Sequence, residues 1–151
     1  MKNRNFLQSL KSAFRGIYIT YISQRNFRIQ VSFAILVIYF GLKFKVGIMN
    51  MIILLFTILL VLSFELINTS IEFLSDKIES KYDILIKNSK DTLSGLVLLA
   101  SIVSVIIGFI IFFKYIRYLT YKSIIFSLII IIVPAIIKSN NDIIKKEAMN
   151  N

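Results

Sequence analysis

Cysteine and histidine are both missing from these 151 residues. Together the two absences exclude disulfides, thiolate metal sites, zinc sites built on imidazole and histidine general bases. Any chemistry must come from carboxylates, amides, hydroxyls, Lys or Arg. Carboxylate and amide oxygens are hard ligands, so a metal held by this chain would be Mg²⁺, partly hydrated and shared with phosphate. Negative charge is scarce as well, with 8 Asp and Glu against 18 Lys and Arg and a net charge of +10. In a soluble protein that excess would raise the question of nucleic acid. Here the basic residues flank apolar segments, where they meet lipid headgroups, and no nucleic-acid partner is expected. No linker rich in Pro, Gly or Ser interrupts the chain, and no internal repeat is visible.

What is abundant is apolar surface: 57% of the residues are hydrophobic and the mean hydropathy is +0.79, far above a soluble domain. Reading from one charge to the next gives four uncharged runs, Ile29–Leu42, Val46–Phe64, Thr92–Phe113 and Ser123–Ile137. The middle two have the roughly 20 residues that a helix needs to cross a bilayer. The first becomes adequate when Arg28 and Lys43 snorkel to the interfaces. The last carries Pro134 and either spans with a kink or lies in the interface. Before them, Phe6, Leu7, Leu10, Phe14, Ile17, Tyr18 and Tyr21 form a helical stripe with Lys11 and Arg15 off it, which predicts an amphipathic helix on the membrane surface rather than a cleaved leader. The expected fold is an all-α integral membrane bundle: an N-terminal surface helix, three transmembrane helices and a fourth, C-terminal apolar helix. Lys and Arg divide thirteen to five between the two sides of the membrane, which places the N-terminus, the middle loop and the C-terminus in the cytoplasm of a multi-pass plasma-membrane protein.

The second run ends in Glu65-Leu66-Ile67-Asn68-Thr69-Ser70-Ile71-Glu72 and continues to Asp76. Glu65, Asn68, Glu72 and Asp76 fall at i, i+3, i+7 and i+11, one stripe of a helix. An ionisable residue at the edge of an apolar span is costly unless it faces a metal, a water-filled site or the bundle interior, so Glu65 and Glu72 are read as functional and Asp76 as an ordinary surface carboxylate. Lys90-Asp91 precedes the third run at the same interface; such a pair often simply flanks a membrane helix, but its cation can also meet phosphate. Together these residues point to phosphoryl transfer at a membrane surface, with Glu72 suited to a metal, Lys90 to phosphate, and Glu65, about two turns deeper, to a hydroxyl delivered from the bilayer. No phosphate-binding loop with the glycine spacing of the soluble nucleotide-binding folds is present.

These residues resemble the small membrane-integral kinases comprising prokaryotic diacylglycerol kinase and undecaprenol kinase. The likeness runs from about Phe6 to Phe113 through Ser12-Ala13-Phe14-Arg15-Gly16, Arg25-Asn26-Phe27-Arg28-Ile29, the segment Glu65 to Glu72 with Asp76, and Lys90-Asp91. The resemblance implies a homotrimer of three-span subunits with shared sites at the cytoplasmic interface, using ATP and Mg²⁺ to phosphorylate a membrane lipid. It implies Glu65 as catalytic base supported by Asn68, and Glu72 on Mg²⁺ and the ATP phosphates. Lys90, Asp91 and the loop Lys81-Tyr82-Asp83 would meet the nucleotide, while Phe27, Arg28 and Ser94, with Glu65, would meet the lipid. Residues 1–114 would form the kinase domain and 115–151 an added apolar helix and basic tail. The chain departs from the pattern at Gln24, where the family usually has a second metal-binding Glu; an amide oxygen can ligate Mg²⁺ and contact the nucleotide site but brings no charge. The Arg25–Ile29 segment is closer to the undecaprenol-kinase branch, which puts undecaprenol before diacylglycerol. The competing expectations are a weak or silent member acting as a membrane binding or assembly protein, motivated by Gln24, and a small channel, disfavoured because the polar stripe clusters at one interface.

Overall fold

The computed structural model describes residues 5–78 and 83–137. Their secondary structure is helical throughout, in the order α1 (Phe6–Ser23), α2 (Arg25–Lys43), α3 (Ile48–Ile78), α4 (Ile84–Phe112), a 3₁₀ continuation over Phe113–Tyr118, and α5 (Tyr121–Ile136). Among them α2, α3 and α4 with its continuation are long and apolar enough to cross a membrane, and α5 is a shorter apolar helix. Most of the large apolar side chains on these helices face outward, including Phe56, Leu98, Ile110 and Ile129. In water such a surface would drive aggregation; in a bilayer, hydrocarbon covers it. The expected helical membrane bundle is what the chain forms.

α1 begins at Asn5, whose backbone N–H donates to Gln8 Oε1 at 3.3 Å. The helix leaves Phe6, Leu7, Leu10, Phe14, Ile17 and Tyr18 exposed, the apolar stripe that an interfacial helix lays on lipid. One extended residue, Gln24, ends α1 and starts α2, so the corner between the two helices is set by a single pair of dihedrals. At the far end of α2 the chain turns through Lys45, at φ 50°. Val46 N–H donates to Gly41 C=O and Lys45 N–H to Leu42 C=O, a left-handed helix stop built without glycine. At Gly41 a Cβ would come within 2.7 Å of Met51 Cε, so a side chain there would require the flexible end of Met51 to shift where α2 packs on α3.

α2 packs against α1, α3 and α5, and α3 packs against α4. α5 runs antiparallel to α2 from end to end. Lys43 Nζ donates to Ser123 Oγ at one end, and Arg28 donates to the carbonyls of Pro134 and Ile137 at the other. The C-terminal helix therefore lies along the first span, from Arg28 to Lys43. A small apolar cluster of Val46, Leu54 and Ile111, flanked by Phe44, Met51 and Tyr115, closes the end of the bundle opposite Glu65.

Candidate active site

α3 continues as one helix past the apolar run, from Phe64 to Ile78, so the stripe predicted from spacing exists as a surface. Glu65, Asn68 and Thr69 are buried on it, where Thr69 Oγ1 donates back to Glu65 C=O and leaves the carboxylate free to reach across. Glu65 Oε2 accepts a hydrogen bond from Gln30 Nε2 of α2 at 3.1 Å. Two turns on, both oxygens of Glu72 are taken: Oε2 accepts from Gln24 Nε2 at 2.8 Å and Oε1 from Asn68 Nδ2 at 3.0 Å. One turn further, Lys90 of α4 pairs with Asp76.

Gln30 was not among the residues singled out by the sequence. It is the one carboxamide in the run Ile29–Leu42, and that was the available signal: an amide placed in hydrocarbon needs a partner on a neighbouring helix. Its remaining oxygen, Oε1, and Asn68 Oδ1 are buried and have no hydrogen-bond partner among the described residues. A buried acceptor left unpaired costs about 1–3 kcal/mol, so these two atoms are suited to receive a donor or a cation. Gln30 also lines a cavity of about 420 Å³ between α2, α3 and α4, walled further by Ala34, Leu54, Val61, Ser104 and Gly108. The cavity thus runs from Gln30, beside Glu65, toward the apolar cluster at Leu54.

The other expected residues divide by location. Gln24 sits against Glu72. Asp91 and Ser94 are exposed on α4, with Ser94 Oγ bonded to Lys90 C=O. Asp83 caps α4, its Oδ1 accepting from the N–H groups of Leu85 and Ile86 at 2.7 and 3.1 Å. Phe27 and Arg28 are buried, 3% and 2% exposed, with the Arg28 guanidinium turned into the protein and bonded to backbone carbonyls instead of facing lipid. Lys81 and Tyr82 lie outside the described residues.

Among the described residues no three Asp or Glu side chains gather as a cage, so a cation here would be shared with a ligand. Terminal amide torsions are broad, and turning an amide over exchanges its N–H₂ for its oxygen. Glu72 with the amide oxygens of Gln24 and Asn68 is a hard-oxygen set that fits Mg²⁺, an ion usually bound by one or two carboxylates plus substrate phosphates.

The comparison with known families is decisive at this point: the profile described as prokaryotic diacylglycerol kinase matches residues 11–112, from the first turns of α1 to the end of α4. The chain belongs to the prokaryotic diacylglycerol kinase family. As a member of that family it is a membrane lipid kinase, and the match contains the buried stripe and the Lys90-Asp91 pair. An undecaprenol kinase from Bacillus subtilis (strain 168) is 36% identical over 107 residues, covering 71% of this chain and 87% of that protein. A diacylglycerol kinase from Synechocystis sp. (strain ATCC 27184 / PCC 6803 / Kazusa) is 35% identical over 105 residues, covering 69% of this chain and 60% of that protein. No solved structure matches this kinase significantly.

Proposed function

We propose that the protein transfers the γ-phosphoryl group of ATP to the hydroxyl of a membrane lipid alcohol, undecaprenol in preference to diacylglycerol, at the cytoplasmic face of the plasma membrane. The observation that carries this reading is Glu65: a buried carboxylate, held by a glutamine that lines an apolar cavity, two turns from a second carboxylate fitted for Mg²⁺. A lipid chain in that cavity brings its hydroxyl to the Gln30–Glu65 pair. Glu65 takes the hydroxyl proton, the lipid oxygen bonds to the γ-phosphorus, and the bond from that phosphorus to the bridging oxygen breaks as ADP leaves. Gln30 holds Glu65 in place, and its free oxygen is positioned to accept the hydroxyl before transfer.

Glu72, Asn68 and Gln24 would hold Mg²⁺, which supplies charge neutralisation to the phosphates. Lys90 and Asp91, with Asp83 and the neighbouring Lys81 and Tyr82, serve the nucleotide; Phe27, Arg28 and Ser94 belong to the lipid side, Phe27 and Arg28 through the packing of α2 that shapes it. The distribution of Lys and Arg supports a cytoplasmic N-terminus, and family membership supports a homotrimer. The relative named undecaprenol kinase and the Arg25–Ile29 segment support undecaprenol as the first acceptor. The test is transfer of labelled phosphate from ATP and Mg²⁺ to each lipid in mixed micelles. Labelled undecaprenyl phosphate forming faster than labelled phosphatidate is the expected result, the reverse order overturns the preference, and silence with both lipids overturns the reading.

A further inference from the structure

The family match ends at residue 112, yet α5, which follows it, is tied into the α1–α2 corner of the site by a single side chain. Arg28 is 2% exposed. Its Nη1 donates to the carbonyls of Tyr21 and Ile22 at 3.1 and 3.2 Å, its Nε to Pro134 C=O at 3.0 Å and its Nη2 to Ile137 C=O at 2.7 Å. All four acceptors lie at helix C-terminal ends, two on α1 and two on α5, where carbonyls have no partner within their own helix. One fixed cation therefore caps two helices at their negative ends, an arrangement that favours both charge and geometry.

The same turn of chain carries Gln24. Arg28 N–H donates to Gln24 C=O, and the Gln24 side chain holds Glu72. A continuous path of hydrogen bonds thus leads from the end of α5, through Arg28 and the α1–α2 corner, to the carboxylate fitted for metal. At the opposite end of α5, the Lys43–Ser123 bond and the Tyr39–Phe126 ring contact keep the helix seated on α2 independently of the clamp.

We propose that α5 is a positioning element of the kinase: by supplying two of the four acceptors of Arg28, it locks the corner that presents Gln24 to Glu72. Arg28 is a positioning residue in this account, since it acts on the site through Gln24. Without the two α5 carbonyls the guanidinium would be a buried charge with half its partners, and would leave the corner for water.

The test compares the full chain, the full chain with Arg28→Met, and a chain stopped after Ile132, which removes Pro134 and Ile137 but keeps the Ser123 and Phe126 contacts. Hydrogen exchange of the amides of residues 20–28 is read together with the dissociation constant for Mg·ATP. Loss of charge-assisted hydrogen bonds predicts about tenfold faster exchange and about tenfold weaker Mg·ATP binding in both variants, with no further change when the two are combined. In turnover of the stopped chain, which rests on the kinase reading, KM for Mg·ATP rises while kcat stays within about twofold. Arg28→Lys restores less than half of the lost affinity, because an ammonium cannot reach four carbonyls as a fork does. Unchanged exchange and binding in the stopped chain overturn the proposal; so does a fall in kcat with binding intact. Should the stopped chain fail to fold, the Arg28→Met and Arg28→Lys arms in the full chain decide on the same two readouts. An inactive full chain would count against the kinase reading and leave the exchange and binding arms standing.

Discussion

The two ends of the bundle are held together in different ways. At the end that carries Glu65, amides and carboxylates from the α1–α2 corner, α2 and α3 are joined side chain to side chain, and two buried oxygens are left over. At the other end, Val46, Leu54 and Ile111 pack without polar groups, and a girdle of rings surrounds them: Phe44 stacks on Tyr115 at 5.1 Å, and Lys43 lies 5.8 to 5.9 Å from the rings of Tyr39, Phe40 and Phe44. Rings and cations at that level anchor a bundle at a membrane interface. The difference teaches that this fold separates its tasks by depth, with geometry that can rearrange around a ligand at one face and fixed packing at the other.

The strongest way to test that separation is at the carboxylates. Glu65→Gln keeps the shape of the side chain and removes the base, so phosphate transfer is expected to fall by about a thousandfold while Mg·ATP binding, measured at equilibrium, is preserved. Glu72→Ala is expected to weaken binding as well, by about a hundredfold, because the hard-oxygen set loses its only charge. The reverse order of effects would exchange the two roles. At the far end, Leu54→Ala removes a side chain that is 3% exposed and is expected to lower stability by about 2–4 kcal/mol. Denaturation in micelles reports that loss, and KM for Mg·ATP should not move.

A subtler change distinguishes the two ends by sign. Gln24→Glu replaces an N–H donor with a second carboxylate facing Glu72, so without Mg²⁺ the protein should become less stable, by about 1–3 kcal/mol. With Mg²⁺ present the same substitution is expected to raise metal affinity by about tenfold. Thermal unfolding with and without the ion reads both halves, and a shift of one sign in both conditions would show that Gln24 is remote from the metal. The smallest effect belongs to the opposite end: Lys45→Gly relieves a left-handed conformation at φ 50° and should stabilise the protein by up to about 1 kcal/mol without touching turnover.

Much of this was legible in the chain because charge marks where a helix leaves hydrocarbon. The runs between charges became α2 to α5, and the stripe Glu65, Asn68, Glu72 and Asp76 lies on one helix because a 3.6-residue period needs no tertiary information. What could not be read had partners without a signature. The acceptors of Arg28 include carbonyls 106 and 109 residues away, and a backbone oxygen looks the same at every position. Gln30 was passed over because a search from charge to charge does not see a neutral amide. Gln24 was read as a poor metal ligand, whereas its N–H₂ is what occupies Glu72 in the fold.

The 31 residues of α3 make a rod about 46 Å long, longer than the roughly 30 Å of hydrocarbon it crosses. Measured from Ile48, Glu65 stands about 26 Å along that rod and Glu72 about 36 Å. The rod therefore works as a depth gauge, with Glu65 just inside a greasy layer that starts at Ile48 and Glu72 just outside it. A thicker bilayer would submerge the second group and a thinner one would expose the first to water. With the proposed roles of these two carboxylates, the rate of this kinase is expected to vary with membrane thickness, which is set by the acyl chains the cell makes.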